Sequence, residues 1–168
     1  MCSLQVQQIP NAECNTATED FQLDIRPYAQ LSRREIRSLV FNLLYAMESF
    51  DYNTSLDSIV DSFNRGFDFD IPFTSEATAM ARGAIENREA LDNVYKPLLT
   101  NWRFERVSVS AKLILRLAIW EIQTKEIDPR IIINEAIELA KDFAEEDAYR
   151  FINGILDRIV NPDEGVLL

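Results

Sequence analysis

The sequence predicts an all-α protein, and three observations carry that prediction. Apolar residues recur at helical spacing from about residue 32 to residue 160. The 168 residues include only 4 Gly and 6 Pro, too few turn formers for an all-β sandwich or barrel. No pair of candidate strands can be assembled, and no internal repeat is present. The length suits one domain around one core. A hydrophobic content of 47% with 27% charged residues matches a folded chain, not a disordered one.

Residues 1–30 show no sustained period and are rich in Gln, Asn, Thr and Ala. They are expected to form a flexible N-terminal extension that docks through Phe21, Leu23, Ile25 and Tyr28. The helical domain is placed at 31–162, with 163–168 as a C-terminal tail. Ser32 reads as an N-cap, and Glu35 three residues on completes a capping box. Behind it Ile36, Leu39, Val40, Leu43, Leu44 and Met47 form one apolar stripe over about five turns. A second helix is expected at 55–65, with Leu56, Ile59, Val60 and Phe63 inward and Gly66 as its stop. Phe67-Asp68-Phe69-Asp70-Ile71-Pro72-Phe73 alternates apolar and acidic residues, but without a partner strand it reads as an extended connection. Thr74 or Ser75 opens a third helix, with Ala77, Met80, Ala81, Ala84 and Ile85 on one face. A fourth covers 90–101, bent or shortened by Pro97. Ser108 or Ser110 caps a fifth, whose stretch 113–122 is apolar on most sides and should be the central, most buried helix. Asp128-Pro129 marks the next boundary, followed by helices at 131–144 and 147–160, seven in all.

Several chemistries are excluded by what is missing. With no His, there is no His-based triad, no imidazole base and no imidazole metal ligand. The 2 Cys both lie within the first 14 residues and build neither a disulfide framework nor a zinc site. No Gly-rich phosphate loop or nucleophile elbow occurs. Glu135 and Glu138, with Asp142 beyond, stand near one helix face. Metal-binding bundles, however, pair Glu with a Glu-x-x-His motif. The three are therefore read as a solvated acidic face, with a first-turn Glu favouring the helix dipole. No catalysis, cofactor or metal is expected. No apolar run is long enough to span a membrane, the start carries no secretory leader, and the expected location is cytoplasmic.

Net charge is −11, from 17 Lys+Arg against 28 Asp+Glu. As a whole that repels polyanions and favours a basic protein partner. The charge is unevenly spread. Residues 31–50 carry Arg33, Arg34 and Arg37 against Glu35 and Glu48, and residues 102–127 hold five basic against three acidic side chains. The acid is concentrated in 51–101 and 128–168. Arg34, Arg37, Phe41 and Tyr45 fall at i, i+3, i+7 and i+11 beside the core stripe, with Arg33 at its edge. Arg contacts phosphate and stacks on bases, and a Tyr ring adds a platform, which suits single-stranded RNA. On spacing alone, a solubilising Arg cluster with Phe41 and Tyr45 in the packing fits as well. A further signal is Gly154 inside a helical pattern. It costs about 1 kcal/mol against Ala and is expected where another backbone approaches closely. Arg150, in the first turn of that helix, is either a phosphate contact or a solvated rim charge.

Four ordered motifs resemble the transcription antitermination protein NusB family. They are the Arg-rich helix ending in Leu44-Tyr45; Ile114-Leu115-Arg116-Leu117-Ala118-Ile119-Trp120-Glu121; Ile133-Asn134-Glu135-Ala136-Ile137-Glu138-Leu139-Ala140-Lys141; and Phe151-Ile152-Asn153-Gly154-Ile155-Leu156-Asp157. The resemblance spans about residues 31–160. It implies a helical bundle of two packed subdomains. It also implies a non-catalytic role in which the protein pairs with the small ribosomal-subunit protein NusE and binds boxA-type RNA of ribosomal RNA leaders. The pair would act within an RNA polymerase antitermination complex. By motif position the resemblance implies RNA contacts from Arg33, Arg34, Arg37 and Tyr45, and from Asp147, Arg150 and Phe151. Arg116, in aliphatic surroundings, is expected in a buried ion pair with Glu121 or Glu135. Departures from the family pattern are Glu35 within the Arg cluster, Ala144 at a usual helix-ending Gly, Ala148 at a frequent Ser, and Trp120 at a usual Tyr. A helical protein–protein scaffold without RNA binding is the alternative function, and self-association into a homodimer stays open. The RNA-binding domain of ribosomal RNA cytosine methyltransferases is disfavoured, since no catalytic domain follows Leu168.

Overall fold

The computed structural model describes residues 27–67, 69–99 and 103–162. They form α1 (Arg33–Ser49), α2 (Leu56–Phe67), α3 (Glu76–Glu86), α4 (Arg88–Tyr95), α5 (Val109–Thr124), α6 (Pro129–Phe143) and α7 (Ala148–Val160), with short 3₁₀ turns between some of them. Among the described residues there is no strand, so the architecture is all-α as expected.

The helix starts follow from capping chemistry. Ser32 is extended; its Oγ accepts from the Glu35 amide at 3.3 Å while its own amide donates to Glu35 Oε2 at 2.7 Å. Ser75 caps α3 through the Thr78 amide, and Ser108 caps α5 through the Ala111 amide. Asp128 accepts from the Arg130 amide at 2.8 Å, with Pro129 at the first position of α6. Each such cap stabilises its helix by about 1 kcal/mol.

Two boundaries differ from expectation. The second helix does not stop at Gly66 but runs through it to Phe67. The chain beyond it is fixed instead by Asn64, whose side chain accepts from the Ile71 amide at 2.8 Å and donates to the Ile71 carbonyl at 3.1 Å. That clamp buries Ile71 and makes the connection extended. The fourth helix begins earlier than residue 90, at Arg88, and is shortened at Pro97 as expected, giving way to the 3₁₀ turn Lys96–Leu98.

Helices α1, α2 and α3 form one packed group, α6 and α7 another, and α5 touches both as well as α4. Leu113, Ile114 and Leu115 are all buried although each points about 100° from the one before around α5, which makes it the central helix. A single apolar cluster runs through both groups, so the two halves share one core. Helices α3 and α5 approach closely at Gly83, where the Trp120 indole fills the place a Cβ would take. Gly154 does not play the close-approach role that its place in an apolar helix suggests. It is exposed, with nothing within 4 Å of a Cβ position. At the other end of the chain, the Tyr28 hydroxyl accepts from the Ala77 amide at 3.2 Å, tying the residues before α1 to the start of α3. Phe21, Leu23, Ile25 and the tail 163–168 lie outside the described residues. Among the described residues no helix is long and apolar enough to cross a membrane.

Candidate nucleic-acid interface

Because the capping box satisfies the Ser32 and Glu35 amides, the opening turn of α1 is pinned at its start and its Arg side chains leave from a defined backbone. Arg33 is exposed, and no carboxylate of the described residues pairs with it. Arg34 keeps 55% of its side chain exposed but is held by α6: Nε donates to Glu135 Oε2 at 3.2 Å and Nη2 to Glu135 Oε1 at 2.9 Å. Its Nη1 lies 3.8 Å from Glu138 Oε2. The fork to Glu135 raises the Arg34 pKa and holds the Glu135 carboxyl below the ordinary glutamate range. Glu138 is lowered too, chiefly by the hydrogen bond Lys141 Nζ gives it at 2.7 Å.

Arg37 does not belong to the exposed strip. Its side chain is 6% exposed, and its Nε and Nη2 donate to Glu121 of α5, the latter at 2.7 Å. Burial is the strongest single influence and works against its charge, but the hydrogen bonds to Glu121 together with the charges of Glu121, Glu135 and Glu76 outweigh it, and the pKa is raised. With Nη1 4.0 Å from Glu135 Oε2, Arg37 is one link in a chain Glu121–Arg37–Glu135–Arg34. The guanidinium for which the resemblance implies an RNA contact is thus buried and paired with the protein's own carboxylates, and it helps to place Glu135. The reading of Glu135, Glu138 and Asp142 as a solvated acidic face is corrected for Glu135 alone, since Glu138 keeps 38% of its side chain exposed and Asp142 is exposed. Because α6 starts at Pro129, Glu135 sits beyond the first turn, with a largely covered carboxylate.

Aromatic rings extend the surface. Phe41 is buried and stacks on Phe143 at 4.5 Å, and Tyr45, 48% exposed, lies 6.1 Å from Phe41. Phe41 is therefore packing, while Tyr45 presents a ring to solvent. The stack also lays the end of α6 against the middle of α1. The same helix end leads to the start of α7. There Lys141 Nζ lies 5.9 Å from the Tyr149 ring centre, and Arg150 Nε donates to the Tyr149 hydroxyl at 3.0 Å. Arg150 is 72% exposed and 3.4 Å from Asp147. Phe151 and Asp147 line a mostly apolar cleft of about 390 Å³, shared with Arg106, Val107, Ser108 and Glu145. Tyr149 and Lys141 are thus members of the surface that sequence reasoning missed. The cue for Tyr149 was a ring adjoining Arg150; Lys141 needed knowledge of how α6 meets α7. Ala144 ends α6 with φ −117, an extended conformation that asks for no glycine.

Arg116 is buried in an ion pair, but with neither expected partner. Its Nε and Nη2 donate to Asp92 of α4 at 2.8 and 2.9 Å, and its Nη1 donates to Glu48 and to the Tyr52 hydroxyl. Residues 116 and 121 stand about 140° apart around α5, so Glu121 faces α1 while Arg116 faces α4. Burial and hydrogen bonding to Glu48 keep the Tyr52 hydroxyl protonated.

Comparison with known proteins places this geometry. Residues 34–161 match the NusB family. Transcription antitermination protein NusB of Staphylococcus carnosus is 31% identical over 132 residues, 77% of this chain and 99% of that protein. That of Campylobacter concisus is 34% identical over 128 residues, 76% and 95%. Among solved structures, T. maritima NusB shares the fold with TM-score 0.67 and 34% identity, covering 78% of this chain and 92% of that one. A chain from a crystal structure of antitermination factors NusB and NusE in complex with dsRNA has the same fold at TM-score 0.65 and 22% identity, covering 77% and 96%. The match runs from the Arg-bearing start of α1 to the end of α7, and the chain belongs to the NusB family.

Proposed function

We propose that this protein is a non-catalytic, cytoplasmic RNA-binding transcription antitermination factor that pairs with ribosomal protein NusE and binds boxA-type RNA within an RNA polymerase antitermination complex. The observation that carries the reading is the exposed strip along α1, where Arg33 and Arg34 at its start offer cations and Tyr45 near its end offers a ring, on a NusB-family bundle. Arg33 and Arg34 contact phosphates and Tyr45 stacks on a base, each stacked base contributing about 1–3 kcal/mol. Arg150 adds a phosphate contact, Phe151 an apolar one in the cleft, and the Asp147 carboxylate accepts from base amino groups. Exposed rings suit unpaired nucleotides. Pairing with NusE is supported by the solved NusB–NusE assembly with RNA, whose NusB-like chain has this fold. A basic ribosomal partner also explains how a protein of net charge −11 holds a polyanion: the acidic body faces the partner, and the two share the RNA.

One observation favours a second reading, a scaffold without RNA binding: Arg34 and Arg37 are both engaged by the protein's own carboxylates. Titration of a boxA-type oligonucleotide with this protein alone, with NusE alone and with the pair separates the two. The RNA reading expects weak binding alone and clearly tighter binding by the pair. A pair that binds no tighter than NusE alone supports the scaffold instead.

A further inference from the structure

The guanidinium of Arg34 has two edges that can each hold an anion. Glu135 takes the side edge, Nε and Nη2, as a bidentate fork. The end edge, Nη1 and Nη2, is the other planar pair of donors, suited to a phosphate. Glu138 stands beside that edge, its Oε2 3.8 Å from Nη1, too far for a hydrogen bond. Its other oxygen, Oε1, accepts from Lys141 Nζ at 2.7 Å. Nothing need break for a phosphate to approach, yet the approaching charge meets a carboxylate. Removing Glu135 would release the guanidinium altogether, whereas removing the Glu138 charge leaves it oriented.

Resting on the RNA-binding reading above, the geometry points to Glu138 as an affinity-setting residue, an internal anion posted at the edge of Arg34 that RNA phosphate must use. Glu135 is then the positioning residue that aims this edge outward, and Glu138 sets how tightly a phosphate is held there. A unit charge at this spacing in a solvated site interacts strongly enough to change affinity about 3–10-fold. Glu138→Gln preserves size and removes the charge from an exposed position, so the fold should be unaffected.

The test is binding of a single-stranded boxA-type RNA oligonucleotide, in the presence of NusE, by the unaltered protein, Glu138→Gln, Arg34→Ala and the double variant. Glu126→Gln, an exposed change on the α5–α6 connection, serves as the control for bulk charge. Glu138→Gln should tighten binding about 3–10-fold, Glu126→Gln should leave it unchanged, and in the Arg34→Ala background Glu138→Gln should have no effect. A gain that persists without Arg34, or that Glu126→Gln matches, overturns the inference, because Lys141 or net charge would then be responsible. Weakened binding by Arg34→Ala with no gain from Glu138→Gln overturns the inference alone. Undiminished binding by Arg34→Ala overturns the RNA-binding reading of α1 and the inference with it.

Discussion

Gly83 and Gly154 are both glycines inside helices, and the sequence pattern points to the wrong one. Gly154 draws attention because it interrupts an apolar helix, but its surroundings are open. Gly83 lies among small residues that look ordinary in sequence, and only the fold brings the Trp120 indole onto it. The two should answer oppositely to alanine. Gly83→Ala forces the indole or the α3–α5 spacing to move and should cost about 1–3 kcal/mol, read as a lowered denaturant midpoint. Gly154→Ala should be neutral or stabilise by up to about 1 kcal/mol. A tolerated Gly83→Ala would mean that Trp120 does not pack as described. The same limit applies to Arg37. Its spacing puts it beside the stripe, but whether an arginine one step from the core turns in or out depends on a carboxylate from another helix. Here Glu121 supplies it.

At the scale of elements, most helices were legible because their causes are local. Serine caps, the Asp128-Pro129 start and the 3.6-residue apolar stripe each act within a few residues. The α2 terminus was not legible, since Asn64 shapes it by gripping Ile71 seven residues away. The partner of Arg116 was not legible either, as burial of a charge announces a counter-ion without saying which helix brings it. The ion pair joins α5 to α4 and, through Glu48 and Tyr52, to the end of α1. Its worth lies in that cross-bracing. Asp92→Ala would leave a buried guanidinium with only the partly exposed Glu48 and the Tyr52 hydroxyl, and should destabilise by about 3–5 kcal/mol. Chemical denaturation checks this; a loss under about 1 kcal/mol would show that water or Glu48 already compensates.

For the whole molecule, composition carries the charge balance and the motifs carry the family, but the working surface comes from assembly. α6 is the element that composes it. Its carboxylates aim Arg34, its Phe143 stacks beneath Tyr45 through Phe41, and its end leads to Tyr149 and Arg150. The cationic strip was readable because it lies on one helix; the carboxylates that govern it were not, because they lie about a hundred residues on. In the function proposed here, a small set of exposed arginines provides the phosphate contacts of an otherwise acidic protein. The salt dependence of RNA binding measures those contacts directly. With NusE present, the slope of log K against log salt should be shallower by about 2 for a variant with Arg33, Arg34 and Arg150 all changed to Ala, near 0.7 for each phosphate that an arginine neutralises on a single strand. An unchanged slope in a variant that still folds and still binds NusE would contradict the account.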